Sequence, residues 1–197
     1  MPETITTTEL LENLKSPSHR TAWELLDSRM RPVILAVVQR LGLTSDEAEE
    51  VAQAALVEVF EGYQKGRYQR GRGRLRSWVV GIARNLAFDS MRRRGRAPGG
   101  GVSVPEVPDS ARVSVIWDEE WNRFIAREAM ARLRAENKID ARTVRAVELF
   151  GLSGVPAEQA AAECGMSVGQ VYVSKNRVAG RLQDIVRELT AAYEDGP

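Results

Sequence analysis

Apolar side chains recur every three or four residues through nearly all of the chain, and this spacing restricts the fold more than any other feature. The clearest example covers residues 44–63, where Thr44 and Glu47 form a capping-box pattern at the start of one apolar stripe. The stripe contains Ala48, Val51, Ala52, Ala55, Leu56, Val59, Phe60 and Tyr63. Similar spacing predicts helices over residues 23–41 and 75–94. Because strand-like alternation is absent, the sequence predicts an all-α protein.

A segment rich in glycine and proline divides the predicted helices into two groups. Residues 95–112 contain four glycines and three prolines, which is typical of a flexible linker. After this segment, apolar spacing from Trp117 to Leu133 predicts a further helix, and Asp140 is expected to cap a shorter helix that stops at Gly151. We therefore predict two helical domains and a linker, namely residues 1–94, the linker 95–115 and residues 116–190.

Positive charge is concentrated in one part of a chain whose formal net charge is only +1. Residues 67–96 contain ten arginines and a single acidic residue, Asp89, whereas residues 1–61 are predominantly acidic. The arginines fit a surface that follows nucleic-acid phosphates. Trp78, spaced with Ile82 on the apolar side of the helix, is expected in the core.

The residue types that build metal and disulfide sites are scarce. The single cysteine, Cys164, excludes an internal disulfide and is expected to pack as a small apolar side chain, and the single histidine argues against a histidine metal site. Apolar runs are too short for a membrane-spanning helix, and the polar start of the chain lacks a signal-peptide pattern. We expect a protein of the reducing cytoplasm with neither metal nor cofactor.

Residues 156–186 have the spacing of a helix-turn-helix. Pro156 suits the start of a short helix that ends at Gly165, and Ser167 with Gln170 forms a capping box for the next helix. Val171, Val178, Leu182 and Ile185 are expected to face inward. The second helix is then expected to present Gln170, Val173, Ser174, Arg177 and Arg181. Glutamine can read adenine and arginine can read guanine in a major groove, although a helical hairpin with solvated polar residues has the same pattern.

Three segments in this order resemble the extracytoplasmic-function group of bacterial sigma factors, within the sigma-70 family. They are DEAEEVAQAALVEVF (46–60), GRLRSWVVGIARNLAFDSMRRR (73–94) and GMSVGQVYVSKNRVAGRL (165–182). The resemblance covers roughly residues 20–187 and implies a subunit that binds core RNA polymerase and directs promoter-specific initiation. It also implies promoter DNA as a partner and allows an anti-sigma protein as a regulator.

The resemblance assigns three sets of residues. Core polymerase is expected to bind Asp46, Glu49, Glu50 and Gln53. The minus-ten element and the opened strand are expected to contact Tyr68, Arg70, Arg72, Arg74, Arg76, Arg84, Asn85, Arg92 and Arg93. The minus-thirty-five element is expected to contact Ser167, Gln170, Val173, Ser174, Lys175, Arg177 and Arg181.

Two other classes of function fit the sequence less well. An autonomous helix-turn-helix regulator would need a dimer interface for two half-sites and would leave the arginines of 67–96 without a role. A metal-dependent nuclease would need carboxylates that converge, and Asp46, Glu49 and Glu50 lie along one helix without a second acidic cluster. We therefore expect a protein without catalytic residues.

Overall fold

A computed structural model describes residues 5–15, 20–96, 110–136 and 139–194. Within these ranges the chain forms α-helices, one 3₁₀ turn and one π-helical turn, and no strand occurs, so the all-α prediction is confirmed. The chain divides into two compact units. The N-terminal unit contains Ile5–Phe124 and the residues from Tyr193 onward, and the C-terminal unit contains Ile125–Ala192.

The N-terminal unit is built from four helices and the beginning of a fifth. The helices are α1 (Thr7–Leu14), α2 (Arg20–Arg40), α3 (Ser45–Gln64), α4 (Leu75–Arg96) and α5 (Ser110–Ala135). Capping boxes start two of them, with Thr6 and Glu9 at α1 and Thr44 and Glu47 at α3. The capping box predicted at Thr44 is thus confirmed.

Small residues let α3 pack closely between its neighbours. Ala48, Ala52 and Ala55 are fully buried on the inner face of α3, and α2 and α4 both pack against this helix. Val33 of α2 and Val79 of α4 are fully buried in the same unit. The resulting core holds α3 and α4 in fixed positions, and these two helices bear most of the functional residues predicted in the N-terminal unit.

The predicted linker begins and ends inside helices, so its boundaries 95 and 115 are wrong. Helix α4 continues through Arg96, and α5 begins at Ser110. The start of α5 belongs to the N-terminal unit because Val113 and Trp117 are buried and Arg40 of α2 donates to Glu119 and Glu120, at 2.6 and 2.9 Å. The remainder of the predicted linker, residues 97–109, lies outside the described residues.

The C-terminal unit contains the second half of α5, followed by α6 (Ala141–Val147), α7 (Ala157–Cys164) and α8 (Val168–Tyr193). The unit ends at Ala192, one residue before the end of α8. Asp140 occupies the position before α6, but its side chain makes no capping hydrogen bond. Gly151 does not stop this helix as predicted, because a π-helical turn, Glu148–Leu152, continues it.

The turn between α7 and α8 follows the prediction. Gly165 ends α7 with a left-handed backbone (φ 61°), which glycine adopts without strain. Cys164 is buried beside Ala161 and Val171 in the core of this unit, as expected for a thiol that packs as an apolar group. Among the described residues, no helix is long and apolar enough to cross a membrane.

Candidate polymerase and nucleic-acid interfaces

A groove between the end of α3 and the start of α4 combines arginines with aromatic rings. We call it the arginine groove; its volume is about 340 Å³. It is lined by Arg67, Tyr68, Gln69, Arg72, Gly73, Arg74, Ser77 and Trp78. A 3₁₀ turn, Arg70–Arg72, forms one side, and Gly73 follows it with a positive φ of 149°. This backbone suits glycine and returns the chain to α4 within a few residues.

Aromatic packing fixes the wall of the arginine groove. The rings of Tyr68 and Trp78 lie 5.3 Å apart, and Tyr68 also stacks on Tyr63, at 6.3 Å. The Trp78 ring meets the backbone of α3 at Gly62, where a Cβ would lie 2.8 Å from Cζ2. Trp78 is therefore half-buried: one part packs in the core, as predicted, and another part remains in the groove wall.

Only some of the residues predicted to contact the minus-ten element lie at the arginine groove. Tyr68, Arg72 and Arg74 line the arginine groove, and Arg70 lies exposed in the adjoining turn. Among the described residues, Arg70 and Arg72 form no ion pair, whereas Arg74 lies 3.8 Å from Glu194. Arg67, which was not among the predicted residues, also lines this groove.

Other members of that predicted set make contacts within the protein. Arg76 is not outward as predicted, since its guanidinium lies 3.3 Å from Asp118 and 3.3 Å from Glu194, near the Trp121 ring. Arg84 is half-buried and donates to Asn85 at 3.3 Å. Arg92 pairs with Asp89, whereas Arg93 is exposed. These residues lie outside the lining of the arginine groove.

The residues predicted for polymerase binding occupy one exposed face of α3. Asp46, Glu49, Glu50 and Gln53 are all exposed, and Glu49 lies 3.5 Å from Arg31 of α2. One turn further on, Val57 and Phe60 continue this face with 51% and 38% of their surface exposed. We call these six residues the acidic–apolar face.

Phe60 was predicted in the buried stripe of α3, and its exposure corrects that prediction. Phe60, Val57, Leu56 and Gln53 line a groove of about 470 Å³ together with Trp23 of α2. Leu56 is only half-buried. The sequence contained one signal for this apolar patch, because Val57 is an apolar residue outside the stripe spacing.

Thr44 and Arg94 hold the carboxylate of Glu47 beside the start of the acidic–apolar face. Its Oε2 accepts from the Thr44 amide at 2.8 Å and from Arg94 at 2.9 Å. The hydrogen bond from the Thr44 amide, with smaller contributions from the Thr44 hydroxyl and Arg94, lowers the pKa of Glu47. This carboxylate therefore joins α3 to the end of α4 in its charged form.

Helix α8 begins with the capping box that the sequence predicts. The Ser167 amide donates to Gln170 Oε1 at 2.7 Å, and the Gln170 amide donates to Ser167 Oγ at 3.2 Å, so the predicted capping box is confirmed. Gln170, Val173 and Arg177 are exposed, Val173 by 68%. Val171, Val178 and Ile185 are buried as predicted, and Leu182 is half-buried.

Ser174 and Arg181 are not presented as predicted. Ser174 is only 9% exposed, because it lies three residues after Val171 and four before Val178 on the inner stripe of α8. Arg181 is bound to the buried carboxylate of Glu136 and lies 3.3 Å from Glu188. The hydrogen bond with Glu136 raises the pKa of the Arg181 guanidinium. Lys175 is exposed, with its Nζ 5.0 Å from the Phe150 ring centroid.

A shallow groove of about 420 Å³ lies beside the start of α8. Gln170 and Val173 line it on α8, and Arg142 and Thr143 line it on α6. Arg142 also donates to the Gly165 carbonyl at 3.2 Å, which places it at the turn between α7 and α8. Arg142 and Thr143 were not among the predicted residues, because α6 is separate in sequence from α7 and α8.

Acidic, cysteine and histidine side chains do not converge in the described parts of the chain. No three such residues lie close enough together there to hold a metal ion. Asp46, Glu49 and Glu50 instead follow one another along α3.

Part of the N-terminal unit matches a known protein family. Residues 26–97, which include most of α2, all of α3 and α4 and the arginine groove, match the family model of sigma-70 region 2. No curated protein gave a match to the sequence. Over residues 26–97, about a third of its length, the chain is thus similar to sigma-70 region 2.

Proposed function

We propose that the chain is a sigma factor of the extracytoplasmic-function type that acts in the cytoplasm. It binds core RNA polymerase, reads the minus-thirty-five and minus-ten promoter elements and assists strand opening. The observation that carries this proposal is the arginine groove, which combines charge and aromatic rings inside the segment that matches sigma-70 region 2.

Strand opening needs a surface that prefers separated strands to duplex DNA. Bases stack on aromatic rings only when they have left the duplex, whereas arginines bind the phosphates of either form. Tyr68 and Trp78 supply rings in the wall of the groove, and Arg72 and Arg74 supply charge beside them. We infer that an unstacked base of the minus-ten element binds here, with its phosphates near Arg70 and Arg72.

The acidic–apolar face is the proposed docking surface for core polymerase. Val57 and Phe60 expose apolar surface, and Trp23 and Leu56 line the adjacent groove. An exposed apolar patch of this kind is typical of a protein–protein contact. Asp46, Glu49 and Glu50 add negative charge next to it, so the partner is expected to present basic residues around an apolar centre. A coiled coil of the largest polymerase subunit is the partner that the sigma-factor resemblance implies.

Helix α8 is the proposed reader of the minus-thirty-five element. Gln170, Val173 and Arg177 are exposed along its first turns and have the chemistry to contact adenine, a thymine methyl group and guanine. The capping bond from Ser167 to Gln170 Oε1 holds the glutamine in place while its amide nitrogen remains a donor. Lys175 and Arg142 lie nearby and can bind phosphates.

Initiation from a defined start site tests this function. The purified chain is added to core polymerase on a template with a selected promoter, and transcripts are mapped. Transcripts from one start site that require the chain support the proposal. If the chain binds duplex DNA alone as a dimer and never changes the start sites of polymerase, it is an autonomous helix-turn-helix regulator instead. The resemblance alone allows an anti-sigma protein as a regulator.

A further inference from the structure

The end of α8 places a carboxylate beside two arginines of the proposed strand-binding surface. Tyr193, the last residue of α8, and Glu194 both belong to the N-terminal unit. The Glu194 carboxylate lies 3.3 Å from the guanidinium of Arg76 and 3.8 Å from that of Arg74. Arg74 lines the arginine groove, and Arg76 follows two residues later in the first turn of α4. We call these two ion pairs the Glu194 bridge.

Contacts of Tyr193 hold Glu194 in place. The Thr7 hydroxyl donates to the Tyr193 carbonyl at 2.8 Å and so satisfies an acceptor that has no partner within the helix. The Arg29 guanidinium lies 3.9 Å from the Tyr193 ring centroid, and the Phe124 ring stacks on the same ring at 6.3 Å. Because the preceding residue is fixed, the Glu194 carboxylate meets the two arginines at a high effective concentration.

The Glu194 bridge competes with nucleic acid for the same donors. A guanidinium binds carboxylate and phosphate oxygens with the same N–H groups, so donors that Glu194 occupies are not available to a phosphate. Arg76 is also paired with Asp118 at 3.3 Å, and only 23% of its side chain is exposed. The side chains of Arg74 and Glu194 are 53% and 30% exposed. Ion pairs at such a surface are weak and are screened by salt, so a strand with several phosphates can displace the carboxylate.

We propose that Glu194 is a built-in competitor of DNA, which occupies Arg74 and Arg76 in the free chain and leaves them when the opened strand binds. This inference rests on the proposed function, because it assigns a regulator to the same strand-binding surface. The carboxylate keeps the free chain from binding nucleic acid as tightly as its arginines allow. Release of the bridge adds two cations beside the arginine groove.

The test measures binding of the full chain to short single-stranded DNA by fluorescence anisotropy over a range of salt concentrations. Glu194→Gln removes the charge and keeps the shape of the side chain, and we expect it to bind about fivefold more tightly at low salt. Its salt dependence is expected to be steeper, because each freed arginine adds about 0.7 to the slope for a single strand. Asp184→Asn is the matched control. It removes an equal charge from α8, where Asp184 pairs with Arg187, and is expected to bind as the unaltered chain does.

A second background shows whether the gain depends on the two arginines. In a chain with Arg74→Gln and Arg76→Gln, the addition of Glu194→Gln is expected to change nothing. A gain that persists in this background, or equal affinities of Glu194→Gln and Asp184→Asn, overturns the competitor. Either result leaves the proposed function standing if Arg72→Ala still weakens binding to the single strand. No binding of single-stranded DNA by any of these proteins overturns the competitor and the proposed function together.

Discussion

The ring of Trp78 lies against the backbone of α3 at Gly62, so closely that a Cβ on Gly62 would lie 2.8 Å from Cζ2. Glycine is thus required at this position by a close approach and not by its backbone conformation. The contact holds Trp78 in the wall of the arginine groove, beside Tyr68. The core of the N-terminal unit and the proposed strand-binding surface are joined at this pair.

Replacing Gly62 by alanine is expected to destabilise the protein. The added methyl group must displace the Trp78 ring, and overpacking of this kind typically costs about 1–3 kcal/mol. Gly81→Ala is the matched control, because Gly81 also lies inside a helix and a Cβ there meets nothing within 4 Å. Alanine is favoured over glycine in a helix by about 1 kcal/mol, so Gly81→Ala is expected to stabilise. Urea unfolding followed by circular dichroism measures both; equal effects at the two positions contradict the close contact.

Reversing charge on the acidic–apolar face is expected to weaken binding to core polymerase. Glu49→Lys with Glu50→Lys places repulsive charge on the proposed docking surface, and we expect roughly a tenfold or greater loss of affinity in moderate salt. The fold is expected to persist, because the exposed pair of Glu49 with Arg31 contributes less than about 1 kcal/mol. Glu58→Lys controls for charge at an exposed position on another side of α3. Co-elution with core polymerase at unaltered affinity rejects this docking surface.

Replacements on α8 are expected to change sequence preference at particular base pairs. Gln170→Ala and Arg177→Ala each remove an exposed group that can contact a base edge, for a loss of about 1–3 kcal/mol of discrimination. Ser174→Ala is the control, because Ser174 is only 9% exposed, against 68% for Val173. Binding of the polymerase complex to a library of upstream sequences measures the preference. A change of preference in Ser174→Ala alone contradicts the assigned face of α8.

The capping carboxylate of Glu47 is expected to make stability depend on pH. Its pKa is lower in the folded protein than its ordinary value of 4.5, chiefly because of the hydrogen bond from the Thr44 amide. The charged form therefore stabilises the fold above pH 4.5, and this contribution is lost as the pH falls through the lowered pKa. Glu47→Gln is expected to cost about 1 kcal/mol at neutral pH and nothing in acid.

Unfolding of both proteins by urea across this pH range measures the effect. Glu58→Gln, at an exposed position on the same helix, controls for the loss of a surface charge. A destabilisation by Glu47→Gln that is equally large in acid and at neutral pH contradicts the role of the charged carboxylate.

Features set by neighbouring residues were predictable from the sequence. The capping boxes of Thr44 with Glu47 and of Ser167 with Gln170 each need only residues three apart, and Gly165 ends α7 by its own backbone preference. The helical class of the protein follows from the same local spacing. The capping boxes and the helical spacing fix where α3 and α8 begin, and therefore where the exposed acidic residues and Gln170 lie on them.

Contacts between distant residues could not be predicted in this way. Arg76 and Arg181 have the pattern of surface cations, but Asp118 and Glu136 lie more than 40 residues away in sequence and pair with them in the fold. The predicted linker extended too far, to residue 115. Val113 is a β-branched residue close to glycines and prolines, and this pattern predicts irregular structure there. Val113 is buried in α5. The exposure of Phe60 likewise depends on which part of α3 is covered by the helices that pack against it.

Promoter opening by core polymerase together with this chain tests the proposed function most directly. Permanganate reacts with unpaired thymines, so it reports the melted region on a promoter template. We expect reactive thymines near the start site only when chain and core polymerase are both present. Arg70→Ala with Arg72→Ala is expected to reduce this reactivity and to flatten its salt dependence, while upstream preference stays unchanged. Arg127→Ala with Arg187→Ala, which removes two exposed charges elsewhere, is expected to melt the promoter normally. Normal melting in the Arg70 and Arg72 variant, or no melting by the unaltered complex, contradicts the role assigned to the arginine groove.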